Sequence, residues 1–311
     1  MAEGNLSLQA LANQYLGVSY QTQGDYTRAI AYFQDTVAFL DGARRRERFG
    51  QVILPAVYAR AFLAWCYAEL GLFAEGHARG EEGLQIIETV DHPGSVMFMS
   101  WGRGVGALRH GDVQRALPLL ERALRICHTA DLPGFVPRVA PTLGEAYVLC
   151  GRVADAVALL TPALEQTMAA AMIVYQALCH LALGQAQLLV GALDEAQSLA
   201  HRALVIAHQH RERGNLAYAL QLLGEITAHS DPPDVVPAEA HYQQALTLAK
   251  ELGMRPLQAH CNRGLGMLYA QVGRPEQARA ELSAAVDLYQ AMEMTLWLPE
   301  TEAALAQVEG R

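Results

Sequence analysis

Eleven histidines, five cysteines and a single lysine in 311 residues are the groups from which any catalysis would have to be built. A phosphate-cradling GxxxxGK[ST] loop needs lysine directly after glycine, and the one lysine, Lys250, follows Ala249. Nucleotide hydrolysis by that route is excluded. There is no GxSxG nucleophile elbow and no HExxH helix. His208 and His210 stand two residues apart, which on a helix turns them to different sides, so they do not share a metal. Those histidines, with His128 and His180 beside Cys127 and Cys179, read as solvated helix-end residues. Cys66, Cys127, Cys150, Cys179 and Cys261 are odd in number, form no CxxC pair and lie in apolar runs. That reads as buried free thiols in a reducing compartment. No catalytic residue, metal site or cofactor is expected, and the chain reads as a non-enzyme.

Charge narrows the partners. A formal charge of −9 with a pI near 5.6 argues against nucleic acid and anionic lipid, which both demand a basic face, and leaves basic partners open. The run Arg44 to Arg48, "RRRER", reads as a solvated linker. Thr167 to Leu193 carries no formally charged residue and is long enough for a bilayer, but Gln176, His180, Gln185 and Gln187 interrupt it and no positive cluster flanks it. No membrane span is expected. The opening "MAEGNLSLQALANQ" has neither a basic region nor an apolar core, so no signal peptide is expected and the cytoplasm is the expected location.

The elements that would position any binding group follow from repetition. Gly71, Gly111, Gly151 and Gly191 fall forty residues apart, and Gly273 continues the series. Gly104, Gly144, Gly184, Gly224 and Gly266 form a second column, and Ala123, Ala163, Ala203, Ala245 and Ala285 a third. Three columns at one spacing define a repeat array. Within each unit apolar residues recur at three and four, as in Leu143, Tyr147, Val153, Ala156, Leu160 and Ala163, which predicts helix, tight turn, helix. The turn glycines suit the left-handed end of the first helix, with Asp25 and Asp112 as the next N-caps. Ala29, Ala116, Ala156, Ala196 and Ala278 suit helix crossings, where side-chain bulk must be small. Pro162 should bend a second helix and remove one of its backbone bonds.

"LGVSYQTQGDYTRAIAYF" (Leu16, Gly17, Tyr20, Gly24, Tyr26, Ala29, Phe33) and "LGMLYAQVGRPEQARAEL" (Leu265, Gly266, Tyr269, Gly273, Ala278, Leu282) resemble the tetratricopeptide repeat family. The resemblance implies an all-α, right-handed superhelical solenoid in one domain over 1–311. Its seven units are expected near 8–45, 55–92, 96–132, 136–172, 176–212, 216–252 and 258–293, with a capping helix over 297–309. A period near forty exceeds the family's usual 34 or so. The sixth unit carries the insertion "HSDPPDVVPAEA", and the first link, "DGARRRERFGQVILP", is longer still. Glu251 to Leu298 also resembles the closing repeats of bacterial multidomain signalling proteins, in which a class III nucleotide cyclase or a transcriptional-activator ATPase precedes the repeats.

In the resembling family the first helix of each unit lines a concave groove. Carried over by register, that implies Tyr58 and Trp65 from unit two, Phe98, Trp101, Val105 and Arg109 from unit three, and Arg138 and Glu145 from unit four. Units five to seven supply Leu178, Leu181, Gln185, Leu188, Tyr218, Gln221, Glu225, His260, Arg263 and Met267. An aromatic half followed by a mixed polar half suits a peptide, with rigid anchors and then charges for register. For Trp65 and Trp101 the alternative is packing between helices, since Trp is largely buried wherever it sits. Self-association is a second use of the same patch. The function expected is a non-catalytic scaffold binding a protein or peptide segment, as a regulatory region of a bacterial signalling protein. The alternative is a sensor of a small-molecule or peptide signal controlling an attached or partner cyclase or ATPase.

Overall fold

The computed structural model describes residues 2–230 and 232–310. Those residues form fifteen α-helices and no strand. The first three helix pairs are α1 (Ala2–Thr22) and α2 (Tyr26–Phe39), α3 (Pro55–Glu69) and α4 (Phe73–Ile87), and α5 (Pro93–His110) and α6 (Val113–Thr129). Then come α7 (Val136–Leu149) and α8 (Val153–Ala169), α9 (Ile173–Val190) and α10 (Leu193–Gln209), and α11 (Arg213–Ala228) and α12 (Val235–Glu251). The last pair is α13 (Arg255–Gln271) and α14 (Pro275–Ala291), followed by α15 (Leu298–Glu309). The chain divides into two compact units, Met1–Leu143 and Gly144–Arg311, with the boundary inside α7.

The periodic columns have physical causes. Gly24, Gly71, Gly111, Gly151, Gly191 and Gly273 all take positive φ, 73° to 88°, which glycine adopts without the steric cost that a Cβ brings. The middle-helix glycines are close-approach sites. A Cβ on Gly104 would stand 2.6 Å from Leu120, one on Gly144 2.7 Å from Leu160, and one on Gly266 2.6 Å from Leu282. Ala29, Ala116, Ala156, Ala196 and Ala278 are wholly buried. Asp25 and Asp112 cap α2 and α6, each accepting from the backbone N–H three residues on at 3.1 Å. α8 runs on through Pro162, and α6 and α7 likewise contain Pro118 and Pro141.

A second turn series was invisible in the sequence. Asp131, Ala171, Arg211, Gly253 and Glu293, forty or forty-two residues apart, take positive φ where each repeat hands over to the next. Four of these five are not glycine. The compensation is a backbone bond across each helix end, from Leu132, Met172, Glu212, Met254 and Met294 N–H back to a carbonyl five residues earlier, at 2.8 to 2.9 Å.

In the first unit α3 packs on α2, α4 and α5, and in the second α11 packs on α9, α10, α12 and α13, so first helices lie side by side. α9 is long and apolar enough to cross a membrane, yet half of it is buried against neighbours such as α8, α10 and α11. Cys66, Cys127, Cys179 and Cys261 are buried, and burial pushes the Cys127 thiol up to about 11 and that of Cys179 to about 12. Cys150 departs from the expectation and is exposed. In the sixth repeat the second half of the insertion starts α12 at Val235, and its first half (Asp231 lies outside the described residues) is tied by Ser230, whose hydroxyl donates to Thr227 O at 2.8 Å and accepts from Asp234 N–H at 3.0 Å.

Candidate functional site

In the first unit the first-helix face is aromatic because of a spacing of three and four. Tyr58, Phe62, Trp65 and Glu69 share one side of α3, and Phe98, Trp101, Val105 and Arg109 share one side of α5. The rings pack on each other, with Tyr58 and Phe98 stacked at 4.9 Å and Trp65 edge-on to Trp101 at 5.4 Å. The Arg138 guanidinium lies 5.3, 5.2 and 4.9 Å from the ring centres of Phe62, Phe98 and Trp101, a cation held in an aromatic cage. Beside it the Glu69 carboxylate, only 2% exposed, accepts from Trp65 Nε1 at 2.8 Å and from Arg109 Nε at 3.1 Å. Phe98, Trp101 and Val105 are buried, at 0, 2 and 3% exposure, so the expectation that they offer open anchoring surface is corrected. Tyr58, Trp65, Arg109 and Arg138 are half-buried within the same cluster.

The second unit differs. Leu181 and Leu188 are core residues, packed with Ala196, Ala200, Leu222, Leu223 and Ile226, and Tyr218 leans on that cluster. This too corrects their assignment to an open groove. Glu145, Leu178 and Gln185 remain half-buried. His260 is engaged beneath the last helix, with Nδ1 2.8 Å from the Tyr289 hydroxyl and its ring 4.5 Å from that of Trp297.

Three of the expected residues do converge. Glu225 on α11, with Arg263 and Met267 on α13, line a cavity of about 640 Å³. α15 closes its other side with Glu300, Ala304 and Val308, and Tyr242 of α12 is buried at its wall. Gly224 and Gly264 admit that tyrosine, since a Cβ on either would stand 2.9 or 2.5 Å from its ring. Arg263 pairs with Glu300 at 2.6 Å, while its Nε is buried without a hydrogen-bond partner. The Gln221 side-chain amide donates to Glu225 Oε1 at 2.5 Å, and Gln221 itself is 6% exposed. Burial raises the Glu225 carboxyl above the ordinary carboxylate range, opposed by Arg263, His229 and the Gln221 bond. Tyr242 and Glu300 escaped the sequence reading because one sits on a second helix and the other on the cap; only a register for the cap would have placed Glu300.

A second cavity, about 670 Å³, runs along α10 between Met168 and Asp194, and none of the expected groove residues lines it. His180 in its wall is 3% exposed, with Nδ1 2.8 Å from the Gln176 carbonyl, so it is no helix-end histidine. Burial lowers its pKa, and Arg202 adds to that. His208 and His210 are exposed at the end of α10, as expected. Among the described residues no group of three or more His, Cys, Asp or Glu is placed to hold a metal ion.

Comparison with known proteins agrees with this architecture. A tetratricopeptide repeat family model matches residues 14–40. No curated protein matches the sequence significantly. Among solved structures, a Rap protein complexed with competence and sporulation factor is similar at TM-score 0.71 and 13% identity, over 97% of this chain and 85% of that one. NprR in complex with its cognate peptide NprX is similar at TM-score 0.65 and 13% identity, over 96% and 82%. The Rap conjugation gene regulator of plasmid pLS20, in complex with a Phr peptide, gives TM-score 0.66 and 14% identity over 95% and 79%. At such identities the likeness is one of fold. The chain thus carries a tetratricopeptide repeat match at residues 14–40, and its fold is an all-α helical repeat array similar to those structures.

Proposed function

We propose that the chain is a non-catalytic interaction module that binds a peptide or an extended protein segment on the first-helix face of its second unit. The observation that carries this reading is the cavity of about 640 Å³ in which Glu225, Arg263 and Met267, placed by repeat register, meet Glu300 of α15. A cavity of that size with a few convergent polar groups suits part of a peptide. Peptide complexes among the proteins of similar fold support the same class of ligand. A regulatory role in a bacterial, cytoplasmic signalling protein is part of the proposal.

Selection of short peptides from a random library on the purified chain tests it. Peptides so obtained should lose about tenfold or more in affinity when Met267 is changed to Asp and Arg263 to Ala together, as expected for removal of central contacts. They should be indifferent to Val205→Asp on α10. Selected peptides that ignore the first change and respond to the second would place binding at the other cavity and contradict the proposal.

A further inference from the structure

The cavity between α11, α13 and α15 holds more negative than positive charge. Arg263 is already neutralised by Glu300 at 2.6 Å, which leaves the Glu225 carboxylate without a cation within ion-pair distance. Gln221 occupies one of its oxygens. A carboxylate held in a partly desolvated cavity with a single amide donor is far from satisfied, because two oxygens offer about four acceptor positions. An independent observation points the same way. Tyr242 is 3% exposed and lines the cavity, and its hydroxyl has no hydrogen-bond partner among the described residues. The hydroxyl reaches the cavity rather than being sealed inside the protein, so it is available to a ligand there as donor or acceptor.

Resting on the peptide-binding reading, we propose that this cavity receives a basic side chain of the bound peptide, with an arginine guanidinium as its best occupant. The guanidinium carries five N–H donors in a planar fork, enough for the open face of Glu225 and for the Tyr242 hydroxyl at once. Met267, Ala304 and Val308 supply apolar wall for the methylene stem. A ligand of single positive charge balances Glu225, and the net charge of −9 on the chain draws basic peptides and repels acidic ones. An acidic side chain would instead have to displace Glu300 from Arg263.

Three blocked pentapeptides, identical except for a central arginine, citrulline or glutamate flanked by leucines, test the assignment by calorimetric titration of the full chain. The arginine peptide should bind at least about tenfold tighter than the citrulline peptide, which has the same shape without the charge. Glu225→Gln, an isosteric change that keeps the Gln221 contact, should reduce that preference to about twofold or less. Tyr242→Phe should weaken the arginine peptide severalfold while keeping the preference. Unchanged helicity by circular dichroism confirms that each variant is folded. Equal binding of arginine and citrulline peptides, a preference that survives Glu225→Gln, or no binding by any of the three overturns the inference. Tighter binding of the glutamate peptide, abolished by Arg263→Ala, would overturn it too, yet leave the peptide-binding reading standing.

Discussion

The first-helix faces of the two units use the same register and reach opposite outcomes. In the first, Tyr58, Phe62, Trp65, Phe98 and Trp101 are large enough to fill the space between neighbouring helices, and Arg138 closes the cage from within. In the second, Gln221, Glu225, Arg263 and Met267 occupy the equivalent side of α11 and α13, and a cavity remains between them and α15. Register therefore decides which way a residue points, while the volume and charge of its neighbours decide whether it meets solvent. An aromatic stripe on a repeat helix is first a packing surface.

The largest effect expected from this contrast is at Trp101. Replacement by Ala removes a fully packed indole and should destabilise the first unit by about 3–5 kcal/mol in chemical denaturation, with peptide affinity unchanged. Loss of affinity with little loss of stability would reverse the assignment of the two faces. Arg109→Ala should cost the same unit about 2–3 kcal/mol, because the buried Glu69 carboxylate then loses a charged donor. Glu225→Gln acts on the other face and through pH. A carboxyl raised by burial binds its proton more readily in the folded state. Stability from this group is therefore fullest below the ordinary glutamate range and falls as pH rises to the raised value. The Gln variant should lack that decline, so its melting temperature at neutral pH should exceed the parent's and the two should converge in acid. A parallel pH dependence in both would show that Glu225 is not the group that titrates. The smallest effect is at a handover turn, where Ala171 sits at φ 50°. Ala171→Gly should stabilise by up to about 1 kcal/mol, the relieved backbone strain exceeding the added freedom of the unfolded chain.

The fold was legible in the sequence wherever geometry admits one residue type. Gly111 and Gly191 mark left-handed turns, where φ of 88° and 83° favours glycine, and Gly104, Gly144 and Gly266 mark close approaches that a Cβ would obstruct. The handover turns at Asp131, Ala171, Arg211 and Glu293 were not legible, since a backbone hydrogen bond there outweighs a modest strain and leaves residue choice open. For the site, register assigned Glu225, Arg263 and Met267 to a groove, and the structure sets these three around one cavity. It could not tell them from Leu181 or Trp101, because burial depends on what the next helix brings. Tyr242 joins the cavity only because Gly224 and Gly264 let its ring pass, a coincidence of two helices that no single stretch of sequence displays.

The three tryptophans provide the most direct test, as two lie on the closed face and the third caps the helix that closes the cavity. Trp65 donates its indole N–H to Glu69 and Trp101 is buried beside it, whereas Trp297 caps α15, three residues before Glu300, against His260. In a proton–nitrogen correlation spectrum of the full chain, a peptide selected for binding should shift the Trp297 indole signal and leave those of Trp65 and Trp101 in place. Movement of the Trp65 and Trp101 signals with Trp297 unmoved would mean that the aromatic face of the first unit is the binding surface, and that the roles of the two faces are the reverse of those proposed.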